Sequence, residues 1–196
     1  MDENRVMPSP VPVILAIAVL ATASAAPPLP RGSADFRLGV SRAQVDSAVA
    51  ARQLPVISNG NAYLVCGSDD PRVEYEQYSF FQAPHGMRFL WKVAIGYQLG
   101  ASRGELDTVL TELRVLLGEP ASDTGALTES GTPAGDPPPT VRQVIWADPL
   151  TVVQLGGRWG DEQGRVADRM MVTWTDRRLQ RLVDARRKKG KSEEGE

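Results

Sequence analysis

Phe36-Arg37-Leu38-Gly39-Val40-Ser41-Arg42-Ala43-Gln44-Val45-Asp46-Ser47-Ala48-Val49 and Tyr97-Gln98-Leu99-Gly100-Ala101-Ser102-Arg103-Gly104-Glu105-Leu106-Asp107-Thr108-Val109-Leu110 are the two stretches whose comparison decides how this chain is built. They stand at a constant offset of 61 residues, and Leu38/Leu99, Gly39/Gly100, Ser41/Ser102, Arg42/Arg103 and Asp46/Asp107 are identical. Most of the other pairs are conservative, so the chain reads as an internal duplication.

The shared residues are those of a strand-to-helix junction. An aromatic and a Leu close an extended segment, and Gly supplies the turn. Ser41 and Ser102 are the expected N-caps, with Gln44 and Glu105 three residues on completing capping boxes. Behind the caps, Val45, Ala48 and Val49 form one apolar helical stripe, and Leu106, Val109, Leu110, Leu113 and Leu117 form the other. The helices are expected to stop at about Leu54-Pro55 and at Gly118-Glu119-Pro120.

Strand signals follow each helix. The first set is Ala62–Cys66, Val73–Phe81 and Arg88–Leu99; the second is Val141–Ala147, Thr151–Gly156 and Met170–Thr175. The run Arg88–Leu99 alternates most clearly, with Phe89, Trp91, Val93, Ile95, Tyr97 and Leu99 expected on one face. Residues 121–140, rich in Pro and Gly, read as a mobile loop, and Gly156–Asp168 as a long hairpin loop. The expected fold is α+β: two tandem repeats of helix plus three-stranded antiparallel sheet, helices on one face and the other face open.

Composition removes much chemistry. The 196 residues hold one His and one Cys, which leaves no internal disulfide, no Cys-rich metal cluster and no two-imidazole site. The net charge of -2 provides no global field for nucleic acid, so none is expected as a partner. No phosphate loop, nucleophile elbow or dinucleotide fingerprint occurs. His85 falls in Pro84-His85-Gly86, an expected hairpin tip, and Glu74 and Glu76 are expected to share one face of a solvated sheet edge. Asp161, Glu162 and Asp168 miss the spacing of a calcium loop. The chain is expected to be no enzyme, with no catalytic residue, metal or cofactor; an envelope hydrolase, in which His85 would meet carboxylates in a deep cleft, is the third reading after a binding protein and a membrane-anchored structural component. Cys66 reads as a small buried hydrophobe.

The N-terminus points to export. No charge occurs between Val6 and Pro30, and the apolar run Val13–Ala21 leads to Ala23-Ser24-Ala25, an A-x-A cleavage pattern. Flanking prolines leave about 14 residues for a continuous helix, short of the roughly 20 that span a bilayer. A cleaved signal peptide is expected over residues 1–25, a retained membrane anchor being the alternative. This places the chain in the periplasm or outside the cell. At the other end, Arg177 to Lys191 carries eight basic residues and one acid, Asp184. Leu179, Leu182 and Val183 make this a short amphipathic helix capped by Asp176, followed by a frayed tail. Membrane contact is open to either the N-terminal segment or this helix.

Two such units, each beginning Leu-Gly-x-Ser, resemble the BamE (SmpA/OmlA) outer-membrane assembly lipoproteins and the β-lactamase-inhibitor-protein-like tandem modules. Leu38-Gly39-Val40-Ser41, Leu99-Gly100-Ala101-Ser102 and Leu117-Gly118-Glu119-Pro120 carry the likeness, which covers about residues 35–175. The resemblance implies a non-enzymatic binding scaffold of the cell envelope with a protein or other envelope partner. This chain lacks the Cys of the lipoprotein cleavage site and the disulfides of the inhibitors, so tethering is not carried over. Seven of the twelve aromatics lie between positions 75 and 97. Tyr75, Tyr78, Trp91 and Trp159 are the candidate binding residues, because Tyr and Trp on an open sheet face or in an exposed loop are good interface anchors. The expected organisation is a linker over 26–35, repeat 1 over 36–96, repeat 2 over 97–175, and the basic helix and tail over 176–196.

Overall fold

The computed structural model describes residues 28–33, 36–98, 104–125, 127–128, 140–159, 161–162, 165–166 and 169–193. In chain order the elements are β1 (Gly32–Ser33), β2 (Phe36–Arg37), α1 (Arg42–Ala51), β3 (Val56–Asn59), β4 (Tyr63–Cys66), β5 (Val73–Gln82), β6 (Arg88–Gln98), α2 (Gly104–Leu117), β7 (Ser122–Asp123), β8 (Leu127–Thr128), β9 (Thr140–Ala147), β10 (Thr151–Trp159), β11 (Asp161–Glu162), β12 (Arg165–Val166), β13 (Arg169–Asp176) and α3 (Arg177–Glu193). The chain is α+β: three helices accompany one large antiparallel sheet ordered β3-β4-β5-β6-β13-β10-β9-β7, with β8 also on β9.

The junction before α1 is built as its residues require. Gly39 has φ of 89°, the left-handed region open to glycine, and its N–H donates to Leu90 O (2.8 Å). The turn is thereby stitched to β6 before Ser41 caps the helix. The Ser41 side chain accepts from Gln44 N, and the Gln44 side chain accepts from Ser41 N at 2.9 Å, closing a capping box. Leu99, Gly100 and Ser102 of the second junction lie outside the described residues.

Cross-strand rows explain the core. Leu64, Tyr78, Val93, Trp174, Val153 and Trp146 stand opposite one another in turn across six strands, and all six are buried. α1 adds Val45 and Val49 to the same cluster, and α2 adds Val109, Leu110 and Leu113. Burying a side chain of this size is worth about 1.5–3 kcal/mol, so the rows and two helical stripes dominate the fold's stability. The Trp146 Nε1–H donates to Gly118 O (2.8 Å), fastening the end of α2 to the sheet.

Several expectations change. Each helix, α1 or α2, is followed by four strands on the main path rather than three: the short β3 and β7 come first and form the sheet's edges. Alternation had marked neither, because two to four residues cannot establish a period. Part of the expected 121–140 loop is strand, since β7 and β8 both pair with β9. Trp159 ends β10 opposite Thr140 instead of lying in a loop.

Two bulges also re-aim side chains. Pairing between β5 and β6 passes over Glu74 and over Trp91: Val73 faces Tyr97 and Tyr75 faces Gly96, while Ser79 faces Lys92 and Phe80 faces Leu90. Leu90 therefore joins Val93 and Ile95 in the core, whereas Phe89 leaves that face. Glu76 turns into the core while Glu74 stays exposed, so the two carboxylates share no face. α3 starts at Asp176, whose carboxylate accepts from Arg178 N (2.9 Å) and Leu179 N (3.0 Å), the expected cap. Its Arg186 stacks on Phe81 (4.6 Å), a ring outside the core cluster.

Candidate functional site

The sheet face turned away from the core carries the candidate site. Across five strands the row Tyr75, Gly96, Met171, Gly156, Gln143 is in direct register, and the next row is Gln77, Ala94, Thr173, Gln154, Ile145. Two glycines in the interior of long strands cost stability and are retained where backbone must be approached closely. They act differently here. A Cβ on Gly96 would overlap the Tyr75 ring, which lies over that glycine with its hydroxyl 3.9 Å from Met171 Sδ. Gly156 has nothing within 4 Å of where a Cβ would stand, so the row opens there.

The result is a groove of about 400 Å³ whose wall includes Tyr75, Met171, Gln143, Gln154 and Arg142. Arg142 is already engaged: its Nε and Nη2 donate to Asp123 (3.0 and 2.7 Å), and this hydrogen bonding holds the Asp123 carboxyl below the usual carboxylate range. The pair ties β7 to β9 at the groove's rim. Amides, thioethers, phenol rings and the Glu74 carboxylate offer shape, hydrogen bonds and apolar contact.

The four aromatics singled out from sequence do not come together. Tyr75 lines the groove. Tyr78 is 0% exposed on the core face, 4.3 Å from the Phe36 ring centroid, and so lies on the opposite side of the sheet from the groove. Trp91 is half-buried at the β6 bulge, five residues from Gly96, or about 16 Å along the strand. Trp159 ends β10 three residues beyond Gly156, and its side chain lies outside the described residues. Missed were Gly96, Gly156, Met171, Gln143 and Gln154; the signal available was an isolated glycine inside a strand pattern.

A second cluster sits under the sheet. Glu76 accepts from Arg52 (3.0 and 3.2 Å), from Ser68 Oγ (2.8 Å) and from the Tyr78 hydroxyl. Arg52 also reaches Asp69 (2.6 Å) and stacks over Phe36. Burial and the adjacent Glu76 carboxylate push the Tyr78 phenol well above its ordinary range. Cys66 is wholly buried beside this network, and burial raises its thiol too. With every carboxylate lone pair of Glu76 directed at a donor, the cluster braces α1 against β4 and β5. His85 is exposed at the β5–β6 tip, where Gly86 has φ of 81°. Among the described residues no group of three His, Cys, Asp or Glu is placed to hold a metal, and no helix is long and apolar enough to cross a membrane.

Compared with known protein families, curated proteins and solved structures, the chain shows no match.

Proposed function

We propose that this chain is an exported, non-enzymatic binding protein of the cell envelope, built as two tandem helix-plus-sheet units, that takes its partner on the open sheet face. The observation that carries the reading is the groove over Gly156, bordered by Met171, Gln143 and the Tyr75 ring. Its lining suits recognition of a protein or envelope component better than bond cleavage. The unit architecture is supported by the strand order, in which β3-β4-β5-β6 from one edge and β7-β9-β10-β13 from the other meet at the β6–β13 pair. The apolar run Val13–Ala21 and the Ala23-Ser24-Ala25 pattern support export. The Leu-Gly-x-Ser likeness to the envelope modules points the same way.

Gly156→Trp fills the groove from a position that has room, and Tyr75→Ala removes its ring. Cross-linked capture from native envelope is expected to yield a partner with the natural chain and with Gly156→Ala, and none with Gly156→Trp. Equal recovery with Gly156→Trp would sink the assignment of this face.

A membrane-anchored structural role is the second reading. It is favoured by the place where the chain reaches the sheet: Leu29 N–H donates to Asp148 (2.8 Å) and Arg31 pairs with Asp176, holding the start of the described chain against the body. Mass measurement of the mature N-terminus separates the two, Ala26 as first residue supporting release and an uncut Val13–Ala21 segment supporting the anchor.

A further inference from the structure

α3 concentrates charge that the rest of the molecule lacks. It holds eight of the chain's 22 Lys and Arg but two of its 24 Asp and Glu, so the remainder is acidic by eight. At about 100° per residue, Leu179, Val183 and Arg186 fall on the side turned to the body with Leu182 at its flank, while Arg178, Arg181 and Lys188 fall on the opposite side with Asp184 and Ala185 among them; Arg177, in the first turn, donates to Asp148 O. The exposures follow this division: Leu179 and Val183 are half-buried, and Arg177, Arg178, Arg181, Leu182, Ala185 and Lys188 are exposed. Arg186 is spent on Phe81 and on Gln82 O. Arg178, Arg181, Arg187 and Lys188 pair with no carboxylate among the described residues. The helix is about 25 Å long, so its outer side is a ridge of cations, Arg178, Arg181 and Lys188, with Asp184 the single acid beside them.

Its position gives that ridge a partner. Asp176, which caps α3, is the same carboxylate that Arg31 pairs with. Leu29 and Arg31, in the chain that follows the apolar run Val13–Ala21, are thus held beside the start of α3. The chain that emerges from the export segment therefore reaches the body at the corner where the cationic helix begins.

We propose that α3 binds the anionic headgroups of a phospholipid bilayer through Arg178, Arg181 and Lys188, holding the body against the membrane by charge with little insertion. Clusters of four to eight Lys and Arg beside an apolar segment bind anionic lipid in this way. The proposal is independent of the sheet-face reading: a chain with Gly156→Trp keeps its lipid binding.

The test is partitioning of the full chain onto vesicles of phosphatidylcholine alone and onto vesicles with about one quarter phosphatidylglycerol. The expected result is tighter binding to the anionic vesicles, an advantage that disappears as salt rises from about 0.05 to 0.5 M. In the triple variant Arg178→Gln, Arg181→Gln, Lys188→Gln the advantage falls about a hundredfold. The salt series on the natural chain stands by itself should that variant not fold. Equal binding to both vesicles, an unchanged advantage in the folded variant, or displacement by millimolar inorganic phosphate overturns the proposal. So does tighter binding to duplex DNA than to anionic vesicles.

Discussion

Thr151 is wholly buried at the start of β10, and its hydroxyl has no hydrogen-bond partner among the described residues. An unpaired buried hydroxyl costs about 1–3 kcal/mol, whereas valine fills nearly the same space. Thr151→Val is therefore expected to stabilise the fold by about 1 kcal/mol, read as a rise of about 2–4 °C in the unfolding midpoint. Tyr78 gives the opposite kind of sensitivity. Burial and its bond to Glu76 keep the phenol protonated far above its ordinary range, while in the unfolded chain it ionises near pH 10. The raised value means the contribution is complete below about pH 10 and is lost as pH climbs beyond it, because only the unfolded chain then gives up the proton. Urea unfolding at about pH 9 and pH 11 is expected to show that loss, and Tyr78→Phe should flatten it. An odd spacing of three already puts Tyr75 and Tyr78 on opposite faces of one strand, but only the sheet pairing shows which face is the core.

At the scale of elements, α1 was legible down to its cap. Ser41, Gln44, Val45 and Val49 do what a capping box and an apolar stripe require, and Ser41→Ala is expected to cost about 1 kcal/mol in chemical denaturation. The five longer strands, β5, β6, β9, β10 and β13, were legible too, because each carries enough alternating residues to establish a period of two. What escaped was the facing of residues beyond a bulge. One extra residue at Glu74 and another at Trp91 reverse the alternation, which is why Glu76 is buried and Phe89 is not in the core. A bulge is chosen by the partner strand, and a strand read alone does not reveal it. The groove was hidden for the same reason: Gly96, Met171, Gly156 and Gln143 are distant in sequence and become neighbours only through register.

At the scale of the whole molecule, the sheet is continuous through β6 and β13, and one core cluster runs from Leu64 to Trp146. Neither side of that seam has a covered edge of its own. Residues 28–98 expressed alone would end in a bare β6, which presents Val93 and Ile95 along an unpaired backbone. That fragment is expected to self-associate through β6, seen as a dimer or larger species by sedimentation, whereas the full chain unfolds in a single transition. A stable monomeric fragment would mean the seam is not needed for folding. The likeness between the two fourteen-residue stretches was visible in the sequence, but the β6–β13 pairing was not, since it depends on which strands meet in the folded sheet.

Cys66 turns the lower cluster into a clock. It is the chain's single thiol, 0% exposed, and its proton is held more tightly because of burial. A maleimide dye meets it only when β4 parts from β5, so labelling of the native protein times the breathing of that corner, with no mutation or engineered probe. A dye that reacts at once would mean that the corner is already ajar.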